Sequence, residues 1–198
     1  MRMKQEQKEL FWQYLEPEYK RAMMFCRKLA GERDRGDDLF QDTLVNALRK
    51  FDQLRDRESF RPWLYRSIVN TYTSSCRAPW FKRRRPMTVE VEQKLIGADP
   101  SREHATKRWL HRAMAVLTPE QHALVTLHEL QEWSIAEIAD LYRMSEGSIK
   151  ARLFRARRRM KKAVRAILEQ SGRNANGLVL EELIGLEEAC AVAKPGLK

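Results

Sequence analysis

Glycine and proline are scarce in this chain, 8 and 7 among 198 residues. So few turn formers argue against an all-β fold built on many tight reversals. The three cysteines, Cys26, Cys76 and Cys190, are scattered, odd in number and without C-x-x-C spacing. That arrangement speaks against a disulfide framework and against a thiolate metal site. No apolar run approaches the roughly 20 residues of a membrane span. The polar start Met1-Arg2-Met3-Lys4-Gln5-Glu6 has no apolar signal-peptide core behind it, so a cytoplasmic protein without membrane insertion is expected. There is no P-loop, no Rossmann glycine pattern, no G-x-S-x-G and no H-E-x-x-H. His104 and His111, or His122 and His128, lack the spacing of a metal pair. The expectation is therefore no enzymatic activity, no cofactor and no metal.

Positive charge is abundant. Lys and Arg exceed Asp and Glu by 38 to 27, a net charge of +11. Such a surplus implies an acidic partner, and nucleic acid is the common one. Hydrophobic residues make up 43% and charged residues 33%, the balance of a core-forming chain rather than a disordered one. Long stretches rich in Leu, Ala, Arg and Glu favour helices, and an all-α fold is expected.

Composition divides the chain into a first helical domain over 6–85, a linker over 86–101, a second helical domain over 102–170 and a C-terminal extension over 171–198. The linker holds Pro86, Gly97 and Pro100 and shows little periodicity. The extension begins Ser-Gly-Arg-Asn-Ala-Asn-Gly and continues into a short amphipathic piece from Leu178 to Cys190. In the first domain, Leu39, Thr43, Leu44, Ala47, Leu48 and Phe51 share one helix face, opposite Asp38, Gln41, Asp42 and Arg49. Phe60, Trp63, Leu64 and Ile68 form a second apolar stripe. Pro62 fits the first turn of that helix, which should end near Arg77, ahead of Pro79.

The second domain has sharper punctuation. Thr118-Pro119-Glu120-Gln121 and Ser134-Ile135-Ala136-Glu137 both read as capping boxes that open helices. Ile135, Ile138, Ala139 and Leu141 mark a short helix, Tyr142-Arg143-Met144-Ser145 a tight connection, and Ile149 and Leu153 the inner face of a long helix. A short helix, a turn of about four residues and a second helix make a helix-turn-helix, whose second helix lies in the DNA major groove. Ser148, Lys150, Ala151, Arg152, Phe154 and Arg155 occupy its first turns, followed by Arg157, Arg158, Arg159, Lys161, Lys162 and Arg165. Glu146 is the only acid between Ser145 and Ala166. Cations near the helix start can reach guanine edges, and later ones suit phosphates. The turn has Tyr142-Arg143 where glycine is common, and a left-handed Arg143 would cost on the order of 1 kcal/mol.

A second nucleic-acid signal lies in the first domain. Arg61, Arg66, Asn70, Tyr72 and Arg77, followed by Trp80, Phe81, Lys82, Arg83, Arg84 and Arg85, mix cations, an amide and aromatic rings. That mixture suits single-stranded DNA, whose bases stack on rings while cations meet phosphates. Phe60 and Trp63 are better read as core.

These segments together resemble the extracytoplasmic-function (ECF) family of RNA polymerase sigma factors. The carriers are Asp37 to Leu44 (DDLFQDTL), Phe60 to Asn70 (FRPWLYRSIVN), Leu117 to Gln121 (LTPEQ), Ser134 to Ala139 (SIAEIA) and Ser145 to Arg157 (SEGSIKARLFRAR). They occur in the family's order and span about 16–168. The turn lacks the family's usual Leu-Gly before Met144, and the chain after Gly172 has no counterpart in the pattern.

The resemblance implies two helical domains, sigma regions 2 and 4. It implies that Asp38, Gln41, Asp42, Asn46 and Arg49 face the clamp helices of the largest subunit of core RNA polymerase. It implies that the segment from about Asp52 to Arg77, with Arg61, Arg66, Asn70, Tyr72 and Arg77, reads and helps open the promoter −10 element. It assigns the −35 element to Ser148, Lys150, Ala151, Arg152, Phe154 and Arg155. Promoter DNA and core polymerase are the implied partners, and whether an anti-sigma factor restrains the chain stays open. The alternative is a helix-turn-helix regulator that acts without joining polymerase, usually as a dimer on two half-sites.

Overall fold

The structure is a computed structural model that describes residues 5–54, 56–77, 110 and 112–170, the last four without their side chains. Every regular element among the described residues is helical. Helix α1 spans Gln5–Ala30, α2 Arg33–Lys50 and α3 Phe60–Arg77. Helix α4 spans Pro119–Val125, α5 Ile135–Tyr142 and α6 Glu146–Gln170. By packing, the described residues group as one unit of 5–77 with 118–156, and a smaller one of 110–117 with 157–170. In the smaller unit Met160 and Val164 pack with Ala113. The extension over 171–198 and the 86–101 linker lie outside the described residues.

Helix α1 buries Phe11, Leu15, Ala22, Phe25, Cys26 and Leu29 along one stripe. Pro17 sits inside the helix, where it removes one backbone hydrogen bond. The buried residues on both sides of it hold the helix continuous. Gly31 ends α1 at φ 75°, its N–H donating to the Arg27 carbonyl at 3.0 Å. This left-handed cap is the ordinary use of glycine after a helix.

The chain then reverses into α2, which crosses α1 at Gly36. A Cβ at Gly36 would lie 2.4 Å from Arg27 Cα, so only glycine permits this approach. The crossing is fastened by Arg27, whose Nε and Nη2 donate to the two carboxylate oxygens of Asp37 at 2.7 and 3.0 Å. Leu39, Thr43, Ala47 and Phe51 are buried as the stripe predicts, while Leu44 and Leu48 are half-buried. The Thr43 hydroxyl donates to the Leu39 carbonyl at 2.8 Å, which lets a polar side chain sit in the core.

Phe11, Phe51 and Phe60 meet edge to face, with centroids 5.3, 5.7 and 6.1 Å apart. Arg57 closes this cluster with its guanidinium 4.0 Å from the Phe51 ring centre. Asp56 organises the entry to α3, accepting from the Glu58 N–H at 3.0 Å and from the Ser59 hydroxyl. Phe60 is buried and Trp63 half-buried, in keeping with a core reading.

Both capping boxes form as read. Thr118 accepts from the Gln121 N–H, and Ser134 from the Glu137 N–H, with the return bond present in each. One feature carries no signal in the periodicity. After α4 the backbone widens into a π turn over Thr126–Leu130, and Glu132 takes φ 57°. This irregular stretch returns the chain so that the Trp133 N–H donates to the Leu127 carbonyl at 3.1 Å. The His128 Nδ1–H donates to the Trp133 carbonyl at 2.9 Å, fixing that ring's backbone in place.

Candidate nucleic-acid interface

The helix-turn-helix is assembled from α5, a three-residue turn and the start of α6. Arg143 caps α5 at φ 53° and ψ 51°, the left-handed conformation that the lack of glycine there made costly. Its N–H donates to the Asp140 carbonyl at 3.1 Å, and the Met144 N–H to the Ala139 carbonyl at 2.9 Å. These bonds use carbonyls that the end of α5 would otherwise leave open. Ser145 then begins α6, its hydroxyl accepting from the Ser148 N–H at 3.3 Å. Ile138, Ala139 and Leu141 of α5 and Ile149, Leu153 and Ala156 of α6 are buried.

With that face inward, the polar residues of α6 point out. Lys150, Ala151, Phe154 and Arg155 are exposed, and Ser148 and Arg152 are half-buried. Phe154 is 66% exposed, the most open large apolar side chain among the described residues. Lys150 pairs with Glu146 at 3.4 Å, an exposed contact of the kind that contributes little and yields readily to a phosphate. A helix of this width, basic and apolar along one exposed stripe, can hydrogen-bond base edges and touch a thymine methyl.

The α3 set is arranged differently. Arg61 donates from Nη1 to Glu137 Oε1 at 3.1 Å, lies 3.6 Å from Glu18 Oε1 and stacks 4.4 Å above the Trp133 ring. Arg66 donates to the Leu141 carbonyl at 3.0 Å. Tyr72 is buried, with its hydroxyl 2.9 Å from His122 Nδ1. Arg77 lies 3.5 Å from Glu120 Oε1. Asn70 is exposed. All but Asn70 thus contact α4 or α5, Tyr72 from a buried position, Arg61 and Arg66 from half-buried ones and Arg77 while still exposed. Glu137 is held below the usual carboxylate range by the Ser134 N–H, then by the Ser134 hydroxyl, with Arg61 adding to both.

On α2, Asp38, Gln41, Asp42, Asn46 and Arg49 are all exposed. Val45, which the sequence reading passed over, is 49% exposed among them. Its position one turn from both Gln41 and Arg49 could have marked it as the apolar centre of that face. Trp133 was also missed. It is 2% exposed and packs against Tyr65 with centroids 4.7 Å apart and the rings tilted by 51°. No periodic pattern distinguishes a tryptophan that closes a contact from one that fills a core.

Two family models match the chain: Sigma-70 region 2 over 15–81 and Sigma-70 region 4 over 107–160. The RNA polymerase sigma-E factor of Streptomyces antibioticus is 31% identical over 159 residues, covering 79% of this chain and 81% of that protein. The ECF RNA polymerase sigma factor SigG of Mycobacterium tuberculosis is 26% identical over 177 residues and covers 74% of this chain, which spans 46% of that longer protein. Among solved structures, the sigma factor RpoE of Bartonella quintana, crystallised with the anti-sigma factor NepR, superposes with a TM-score of 0.55 at 25% identity. That match covers 78% of this chain and 96% of RpoE. Helical regions 2 and 4, the latter with its helix-turn-helix, define a transcription-initiation factor of the sigma-70 class. The chain belongs to the ECF family of RNA polymerase sigma factors.

Proposed function

We propose that this sigma factor works in the cytoplasm by binding rather than by catalysis, docking on core RNA polymerase through α2 and reading promoter DNA through α3 and α6. Its domains follow the family division, region 2 over 6–85 and region 4 over 102–170. The observation that carries the reading is the exposed face of α6: cations and Phe154 directed outward from the helix-turn-helix, with Glu146 the only acid between Ser145 and Ala166. Ser148, Lys150, Ala151, Arg152, Phe154 and Arg155 read the −35 element. Arg61, Arg66, Asn70, Tyr72 and Arg77 belong to the −10 face. Because RpoE of B. quintana was crystallised with NepR, an anti-sigma factor is a reasonable partner here too.

Asp38, Gln41, Asp42, Asn46 and Arg49, with Val45 at their centre, form the polymerase face. The acids near the start of α2 favour its dipole, but they cannot serve DNA binding in a chain of net charge +11. A basic protein surface would use them. Asp38→Arg combined with Gln41→Ala changes only exposed side chains, so the fold should melt as before. Co-purification with core polymerase should fall by at least about tenfold, since interface charge reversals cost several kcal/mol. Undiminished co-purification of the folded double variant would remove this face from the interface.

A further inference from the structure

The second half of α6 carries more positive charge than its neighbours answer. Arg158, Lys162 and Arg165 are exposed and recur at i, i+4 and i+7, so they form one stripe along the helix. None of the three makes an ion pair among the described residues. In the same small unit Ala113 and Val164 are buried with Met160 against them, while Leu110 and Val116 stay 47% and 43% exposed. The unit thus presents a surface that is basic and apolar at once. The chain holds a segment of the complementary character. Between Gly177 and Val192 there are four acids, Glu181, Glu182, Glu187 and Glu188, and no cation. Leu178, Leu180, Leu183, Ile184 and Leu186 are its apolar residues, and a segment this short does not hold a helix unaided. We propose that the α6 face over 158–165, with Leu110 and Val116, is the docking surface for the chain's own acidic segment 178–190, folded back antiparallel to α6 as an amphipathic helix.

Spacing and reach both fit. Glu181 and Glu188 are seven residues apart, the same interval as Arg158 and Arg165. On two helices that interval is about 10 Å of rise, so antiparallel packing sets Glu181 beside Arg165 and Glu188 beside Arg158. Helix α6 ends at Gln170, and the connection over 171–177 contains Gly172 and Gly177. Seven extended residues reach about 23 Å, against roughly 8–10 Å between packed helix axes. The docked acids stand where phosphates would stand. Lys150, Arg152 and Arg155 lie in earlier turns, beyond the docked segment's span. The segment therefore competes with the DNA backbone and leaves the base-reading turns open. A cation that exchanges a carboxylate for a phosphate releases no bound counterion, so docking also flattens the salt dependence of DNA binding. This consequence rests on α6 being the DNA-binding helix, whereas docking itself is measured without DNA.

Zero-length cross-linking of the full chain reads the docking. A water-soluble carbodiimide takes up water as a urea and leaves an amide between a carboxylate and an amine that touch. Peptide mapping by mass spectrometry should find an acid of 178–190 joined to Lys161 or Lys162. In an equal mixture of isotope-labelled and unlabelled chain, those links should stay within one copy. Leu183→Ser with Ile184→Ser keeps every charge and alters only the apolar face of the segment. It should reduce the cross-link and raise affinity for a short fluorescein-labelled duplex of non-promoter sequence by about threefold or more, the effect of releasing two exposed ion pairs. Its salt dependence should be steeper than that of the wild type. Unfolding would move the affinity the other way. Links that avoid α6, or that join differently labelled copies, would overturn the docking. A cross-link lost in the variant with no gain in duplex affinity would overturn the competition with phosphate. A cross-link in a chain that binds no duplex at all would support the docking and count instead against α6 as the DNA-binding helix.

Discussion

Gly36→Ala and Gly147→Ala should change stability in opposite directions, although both replace a helical glycine by the best helix former. In a helix alone, each exchange would stabilise by up to about 1 kcal/mol. At Gly147 nothing lies within 4 Å of the new methyl, so that gain should survive. At Gly36 the methyl would stand 2.4 Å from Arg27 Cα, 2.7 Å from its Cγ and 2.8 Å from its N. Two of these atoms are backbone and cannot swing aside. Ordinary carbon contact needs about 3.5 Å, so α1 and α2 must part by roughly 1 Å. Overpacking of this kind costs about 1–3 kcal/mol, and the separation also pulls on the Arg27–Asp37 pair beside it. The net loss should be about 1–2 kcal/mol, visible as a melting temperature lowered by about 2–8 °C. Because α2 carries the proposed polymerase face, core affinity should fall as well. Thermal melts by circular dichroism on both variants are the assay. A Gly36→Ala protein as stable as the wild type would refute the close crossing and the account of why glycine stands there.

Further expectations follow from the same geometry. The Arg27 guanidinium, by hydrogen bonding first and charge second, holds Asp37 below its ordinary value. Since the folded value is the lower one, the pair stabilises fully above the unfolded value of about 3.9 and loses its effect as pH falls through the folded value. Asp37→Asn should therefore cost stability at pH 7 and progressively less below about pH 4; denaturant titrations giving one penalty at every pH would contradict this. On α6, replacing whichever of Lys150, Arg152 or Arg155 contacts a base should cost about 1–3 kcal/mol at one promoter position. Arg159→Ala or Lys162→Ala should weaken all sequences alike and flatten the salt dependence. Promoter-variant titrations at several salt concentrations, with all five changes behaving alike, would sink that division of roles.

How far the sequence anticipates this depends on how local each determinant is. Thr118 and Gln121, or Ser134 and Glu137, declare helix starts because cap and partner lie three residues apart. The stripes through Leu39 and Phe60 are visible for the same reason, whereas Arg143 takes the left-handed conformation that the absence of glycine argued against. The all-α fold and the family follow from such signals in order. The Gly36 crossing, the π turn after α4 and the pairing of Arg61 with Glu137 depend on which helix meets which. Arg61 reads as a DNA contact from composition alone, and only packing shows it already engaged. The same cation chemistry serves an acid of the chain or a phosphate of the promoter, so composition marks the face without revealing its state.

The most direct measurement of the central claim is run-off transcription with purified core RNA polymerase, with and without this protein, on a pool of genomic promoter fragments. Initiation from defined start sites should require both components, and footprints upstream of those sites should show protection near −35 and opened strands near −10. The Asp38→Arg, Gln41→Ala double variant should abolish those transcripts. If the protein bound its sites as tightly without polymerase as with it, and added no polymerase-dependent starts, it would not be acting as a sigma factor.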